Sequence, residues 1–220
     1  MKINEELIAR TALRLLNDSG LGGLTMRQVA TELGVRTPTL YWHLKNKQQL
    51  LDAMAALIFS EATERLEAPR AGVTWDDWLA DLARELRGAM LRYRDGARVL
   101  AGSYVDHPAL HRTVELTLGA LQDAGFSLEE AAYGVPALLH YTIGCTIEEQ
   151  ARTGADYGDG NPYDPERLEE MVDAGRYPLT ARMLGVIFAA DADAAFERGM
   201  RVILLGLRAS SGDGGGAGGS

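Results

Sequence analysis

The run Thr37-Pro38-Thr39-Leu40-Tyr41-Trp42-His43-Leu44-Lys45-Asn46-Lys47 holds hydroxyl, aromatic, imidazole and ammonium groups within about three helical turns. That mixture is too polar and too aromatic for a helix inside an ordinary core. Thr37 and Thr39 offer hydroxyls to base edges or phosphates and methyls to thymine, while Tyr41, His43 and Lys47 suit phosphate oxygens. Arg27, ten residues before Thr37, has the planar fork that bonds guanine O6 and N7 together. The candidate DNA-contacting set is therefore Thr25, Arg27, Thr37, Pro38, Thr39, Tyr41, Trp42, His43 and Lys47. The competing reading is that Tyr41 and Trp42 fill the interior of a small domain, as Leu40 and Leu44 are expected to do.

Such side chains reach a groove only if short helices hold them. Apolar residues recur at helical spacing almost throughout, and no useful stretch alternates with period two, so the fold is expected to be all-α. Asn4 is placed to cap a first helix, with Ile3 and Ile8 as a hydrophobic staple and Gly20 as its stop. Thr25 and Gln28 form a capping box for a short second helix ending near Gly34. Thr37 is placed to cap a third, with Pro38 at its first position, where a missing N–H costs nothing. Two short helices joined by Leu33-Gly34-Val35-Arg36 read as a helix-turn-helix, whose second helix presents its N-terminal side chains to a major groove. Asn46 and Gln49 suggest another box, opening a connecting helix to about Leu66.

The organisation expected is a three-helix DNA-binding domain over 1–47, a connecting helix over 48–66, a helical-bundle domain over 67–210, and a disordered tail over 211–220. In the third unit Thr74 caps a helix with the stripe Leu79, Leu82, Ala83, Leu86 and Met90, and further helices are expected near 95–102 and 108–124. Ser127 and Glu130 open a long helix to about Thr153. Tyr157 to Asp164 reads as a loop, Asp164-Pro165 as a short helix start, and 192–209 as the last helix. The last helix is apolar on more than one face, and with the long helix it suits a four-helix dimer interface.

The net charge of −9 conceals a division. Residues 1–50 hold seven basic and four acidic side chains, a net +3, which leaves −12 on the remainder. A basic end on an acidic body orients the molecule toward a phosphate backbone and limits adhesion elsewhere. There is no run of 18 to 20 apolar residues, so no membrane span is expected, and the amphipathic N-terminus lacks the pattern of a secretory signal, which favours a cytoplasmic location. The one cysteine, Cys145, is expected to be a buried structural thiol. GxxxxGK[ST], GxSxG and HExxH are all missing, so no catalytic residue and no cofactor is assigned. His107 and His111 have the four-residue spacing of two metal ligands on one helix face, yet no third or fourth ligand is evident nearby, and no metal site is assigned.

LTMRQVATELGVRTPTLYWHLKNKQQLLDAM, at 24–54, resembles the DNA-binding domain of the tetracycline-repressor (TetR) family. The similarity continues through MLRYRDGARVLAG at 90–102, DAGFSLEEAAYG at 123–134 and HYTIGCTIEEQ at 140–150, and so covers most of the chain. It implies that 67–210 is a ligand-binding and dimerisation domain, and that the protein is a homodimeric repressor on a palindromic double-stranded DNA operator, released by a small-molecule effector that shifts the helix around Asp95 to Gly102. Aligned on RYRDGA, Leu100 stands where the tetracycline-binding branch has a metal-binding histidine. Leu82 and Leu86 replace a polar amide and an aromatic, Thr117 replaces another amide, and Glu148 matches an acidic residue contributed by the second subunit. The expected pocket is lined by Leu82, Leu86, Leu100, Ser103, Val114, Thr117, Val135, Leu139, His140 and Glu148, and suits a bulky hydrophobic effector, aromatic or polycyclic. For each leucine the alternative is plain core.

Overall fold

The structure is a computed structural model that describes residues 3–153, 157, 160–164, 167, 170–189 and 191–213. Its described elements are α1 (Glu5–Gly23), α2 (Met26–Glu32), α3 (Thr37–Tyr41), α4 (Lys47–Thr63), α5 (Trp75–Leu91), α6 (Gly96–Ala101), α7 (Pro108–Asp123), α8 (Leu128–Arg152), α9 (Pro178–Ala189) and α10 (Ala192–Asp213). No strand occurs among the described residues, and the all-α expectation holds.

Local chemistry sets most helix starts. Asn4 Oδ1 accepts from Leu7 N at 2.8 Å, and Ile3 packs on the core that buries Ile8, as a staple requires. Thr25 and Gln28 form the reciprocal box before α2, and Ser127 and Glu130 form another before α8. Three local expectations are corrected. Thr37 does not cap α3: Arg36 is the cap residue, and the Thr39 amide is already taken by the Arg36 carbonyl at 2.8 Å. At α4 the Asn46 side chain caps as expected, but Gln49 Oε1 turns back to the Lys45 amide at 2.7 Å rather than to Asn46. The connecting helix ends at Thr63, short of Leu66.

Gly20 takes φ 63°, which breaks the regular run of α1, although one further turn reaches Gly23. A side chain is disfavoured there by the left-handed backbone, and the Arg94 guanidinium lies 3.1 Å from where a Cβ would stand.

The helix α4 is the strut of the molecule, packing on α1, α5, α6 and α7. A first core joins the DNA-binding unit to the body: Ile8, Leu13, Leu16, Leu24, Leu40 and Leu50 are continuous with Met90, Ala97, Val99 and Leu100 of α5 and α6. The second core lies among α5, α7, α8 and α10, around Trp78, Leu79, Leu121, Leu138, Phe196 and Met200. The small domain thus has no interior separate from α6, so a shift of α6 is felt in its packing.

The helix α9 was not expected from sequence. Its residues PLTARMLGVIFA are apolar nearly all round and give no amphipathic period. Cys145 is half-buried rather than buried. The expected helix start at Asp164-Pro165 lies partly outside the described residues, as does the tail; α10 continues to Asp213.

Candidate DNA-binding surface and effector cavity

The turn between α2 and α3 is closed by Gly34 at φ 67°, with Val35 N bonded to Ala30 O at 3.0 Å. Leu40 and Leu44 face inward, and around them the polar set faces out. Tyr41 is 47% exposed and Trp42 88% exposed, so neither fills the domain interior. Thr25, Arg27, Pro38 and Lys47 are exposed, whereas Thr37, Thr39 and His43 are half-buried. Lys47 Nζ donates to the Leu21 carbonyl at 3.3 Å, which steers its stem along the end of α1.

Four helices line a cavity of about 90 Å³ in the body. It is lined by Phe59 and Thr63 of α4, Leu79, Leu82, Ala83 and Leu86 of α5, Leu110, Thr113, Val114 and Thr117 of α7, and Val135, Leu138, Leu139 and Thr142 of α8. Thr63, Thr117 and Thr142 donate their hydroxyl hydrogens to the carbonyls of Phe59, Thr113 and Leu138, at 2.9, 2.7 and 2.8 Å. Those three hydroxyl hydrogens are committed within their own helices.

Six residues expected in a pocket line this one: Leu82, Leu86, Val114, Thr117, Val135 and Leu139. Four do not. Leu100 is buried in the first core instead, because α6 turns that face toward the DNA-binding unit. Ser103 lies beyond the end of α6, in the connection to α7. His140 and Glu148 are exposed on α8 in a stripe with Tyr133, Ala137 and Gly144, at helical spacing on the side opposite the cavity. Sequence reasoning missed Phe59, Thr63, Leu79, Ala83, Leu110, Thr113, Leu138 and Thr142. Their inward direction follows from how four helices meet, which no single helix pattern reveals. Among the described residues no group of three His, Cys, Asp or Glu side chains could hold a metal, and His107 Nδ1 is occupied in capping α7, accepting from the Ala109 amide at 3.2 Å.

Between cavity and DNA-binding surface, α6 is tied at both ends. Asp95, which precedes it, adopts φ 57° and is 7% exposed. Its Oδ2 accepts from the Leu21 amide at 2.8 Å, joining the start of α6 to the end of α1. Next to it, the Arg94 amide donates to Asn17 Oδ1 at 2.8 Å. At the other end, Gln48 Nε2 donates to the Gly102 carbonyl at 3.1 Å, and Asp52 Oδ1 accepts from the Tyr104 amide at 3.1 Å. Tyr93 OH donates to Glu61 of α4 at 3.0 Å, and burial together with that carboxylate raises the phenol above its ordinary pKa. From the other side, Gln150 of α8 clamps the same connection: Oε1 accepts from Ala97 N at 3.1 Å, and Nε2 donates to the Met90 and Tyr93 carbonyls at 3.2 and 2.8 Å.

Comparison with known proteins decides what this assembly is. Residues 8–54 match the model of bacterial regulatory proteins of the tetR family, and residues 68–211 match that of the tetracyclin repressor-like C-terminal domain. The chain belongs to the tetR family. It is a helix-turn-helix transcriptional regulator whose larger part is a tetracycline-repressor-type ligand-binding domain. The class C tetracycline repressor protein of Escherichia coli is 39% identical over 209 residues, covering 94% of this chain and 91% of that protein. A possible TetR family transcriptional regulator from Streptomyces coelicolor A3(2) superposes with a TM-score of 0.84 at 39% identity, covering 94% and 100% of the two chains. The S. coelicolor TetR family protein ActR, in complex with actinorhodin, gives a TM-score of 0.81 at 28% identity, covering 97% and 100%. In this tetR-family chain α6 lies between the helix-turn-helix and the cavity-bearing bundle.

Proposed function

We propose that the protein represses transcription as a homodimer on a palindromic double-stranded DNA operator and leaves it when a small hydrophobic effector, aromatic or polycyclic, enters the cavity among α4, α5, α7 and α8. The observation that carries this reading is the double attachment of α6, hydrogen-bonded at both ends to α1 and α4 and clamped by α8. A cavity of about 90 Å³ is smaller than the roughly 300–1,000 Å³ of a drug-sized site. An effector of more than one ring therefore binds best with the four helices spread, and its affinity difference between the two states drives the change. Spreading them displaces α4, which carries the recognition helix. Two half-sites one turn apart need a spacing of roughly 34–36 Å, so a small displacement in each subunit removes simultaneous docking.

On the DNA, Arg27 reads a guanine, Thr37 and Thr39 meet bases or phosphates at the start of α3, and Thr25, Tyr41, His43 and Lys47 hold the backbone, with Pro38 and Trp42 at the same surface. Dimerisation uses α8 and α10. The Tyr133 to Glu148 stripe and the exposed Val202 and Leu205 offer a face that one subunit leaves in water. The proposed role is that of a cytoplasmic DNA-binding protein that performs no catalysis; among the described residues no helix is long and apolar enough to cross a membrane.

Selection of duplexes from a random library should yield a palindrome, and sedimentation should show two chains per duplex at micromolar protein. One chain per duplex, or selection of asymmetric sites, contradicts the proposal. Arg27→Ala should weaken operator binding by about 1–3 kcal/mol and relax preference at one base pair of each half-site, whereas Lys47→Ala should weaken all duplexes alike. Measured affinities across single-base operator variants separate the two; an unchanged preference in Arg27→Ala removes its base-reading role.

A further inference from the structure

Five buried threonines lie in the body and the upper strut: Thr63, Thr113, Thr117, Thr142 and Thr146. Four of them donate to the carbonyl one helical turn before, the usual resting place of a helical threonine hydroxyl. Thr113 does not. It is 7% exposed, lines the cavity, and its Oγ1 has no hydrogen-bond partner among the described residues. A buried hydroxyl left without a partner is costly, and native structures keep one where something else supplies the bond. Every other hydroxyl on the cavity wall has its hydrogen committed, and the remaining lining side chains are apolar.

We infer that Thr113 is the specificity-determining contact for the effector, donating its hydroxyl hydrogen to an acceptor oxygen on an otherwise apolar ring skeleton, so that the site selects a cyclic ketone over the hydrocarbon of the same shape. A carbonyl is the simplest group that accepts this hydrogen without bringing another to be satisfied. The inference rests on the cavity being the effector site. It adds that the ligand has a defined orientation, with its carbonyl edge toward the middle of α7 and its hydrocarbon toward Leu82, Leu86 and Val135.

The test uses the matched probes 1-indanone and indane, which differ only in a carbonyl for a methylene, titrated calorimetrically into the full-length protein with chelator present. The ratio of the two dissociation constants is compared between wild type, Thr113→Val and Thr113→Ser. Thr113→Val should shift that ratio toward indane by about 2- to 12-fold, and Thr113→Ser should keep the wild-type ratio. Without ligand, Thr113→Val should melt roughly 2–4 °C higher than wild type because it deletes an unsatisfied group, whereas Thr117→Val, which deletes a made bond, should not. Binding of both probes with the same ratio in Thr113→Val overturns the assignment while leaving the cavity as the effector site. Failure of wild type to bind either probe, or undiminished binding in the cavity-filling variant Val135→Phe, overturns the effector site itself and the Thr113 assignment with it.

Discussion

Magnesium-chelated tetracycline should leave this protein on its operator at concentrations that release the class C tetracycline repressor of Escherichia coli, its relative at 39% identity. The cation of that complex needs oxygen or nitrogen donors. Leu100, where the sequence resemblance places a metal-binding histidine, is an isobutyl group packed in the first core. Glu148, the acidic residue expected from the second subunit, is exposed on α8 and does not replace the missing imidazole. The polar edges of the tetracycline rings fare no better. Leu82 and Leu86 line the cavity with hydrocarbon, and the hydroxyl hydrogens of Thr63, Thr117 and Thr142 are held by helix carbonyls. Each polar group buried without a partner costs about 1–3 kcal/mol. Two such groups move the release midpoint upward by roughly 30-fold or more. The measurement is a fluorescence titration of labelled operator with tetracycline and magnesium, run beside the class C repressor and beside a panel of apolar polycyclic ketones. Release of both proteins at similar tetracycline concentrations, abolished by chelator, would show that the cavity is not the apolar site described.

Gly96→Ala should be the most damaging single-atom change in the regulatory path. Gly96 opens α6, and a Cβ there would stand 2.2 Å from the Met90 carbonyl oxygen and 3.1 Å from its carbon. The obstacle is backbone, so no side-chain rotation relieves it, and α6 must move away from α5. That carbonyl accepts from Gln150 Nε2 at 3.2 Å and from the Tyr93 amide at 3.2 Å, and Gln150 also holds Ala97 and Tyr93. Overpacking of this kind costs about 1–3 kcal/mol, and each hydrogen bond strained adds about 0.5–1.5 kcal/mol. A fall in melting temperature of roughly 5–15 °C follows for a chain of this size. Because α6 is joined to α1 through Asp95 and to α4 through Gly102, operator affinity should drop at least about tenfold even at temperatures where the variant is folded. Gly88→Ala is the control: it lies inside α5, its added methyl meets nothing within 4 Å, and it should stabilise by up to about 1 kcal/mol. Equal melting and equal operator affinity for Gly96→Ala and wild type would sink the idea that this junction is tight.

Features confined to a few neighbouring residues were legible before the structure. The boxes of Thr25 with Gln28 and Ser127 with Glu130 join groups three residues apart, and the stripe along α5 is a property of one helix. Even local logic failed where two groups compete for one partner. Thr37 lost its cap role because the Arg36 carbonyl already holds the Thr39 amide. The cavity was readable in part, since its α5 and α8 leucines point inward wherever those helices pack. Leu100 and His140 lie outside the cavity because the side of a helix that meets a neighbouring helix or the DNA-binding unit is settled by packing rather than by spacing, and Glu148, expected from the second subunit, faces away from this chain's own cavity. The link from Asp95 to Leu21 spans 74 residues and leaves no trace in either local pattern.

The cavity wall and the hydrogen-bonded path through α6 share no side chain among the described contacts. Thr113 and its neighbours line the cavity, whereas Asn17, Asp95 and Gln150 hold the segment around the start of α6. Substitutions that reshape the wall can therefore accumulate without rewriting the machinery that reports occupancy. If the proposed release mechanism holds, such a chain is a natural chassis for building sensors of new molecules: a library confined to α5 and α7 lining positions explores ligand chemistry and leaves the hydrogen bonds around α6 unchanged.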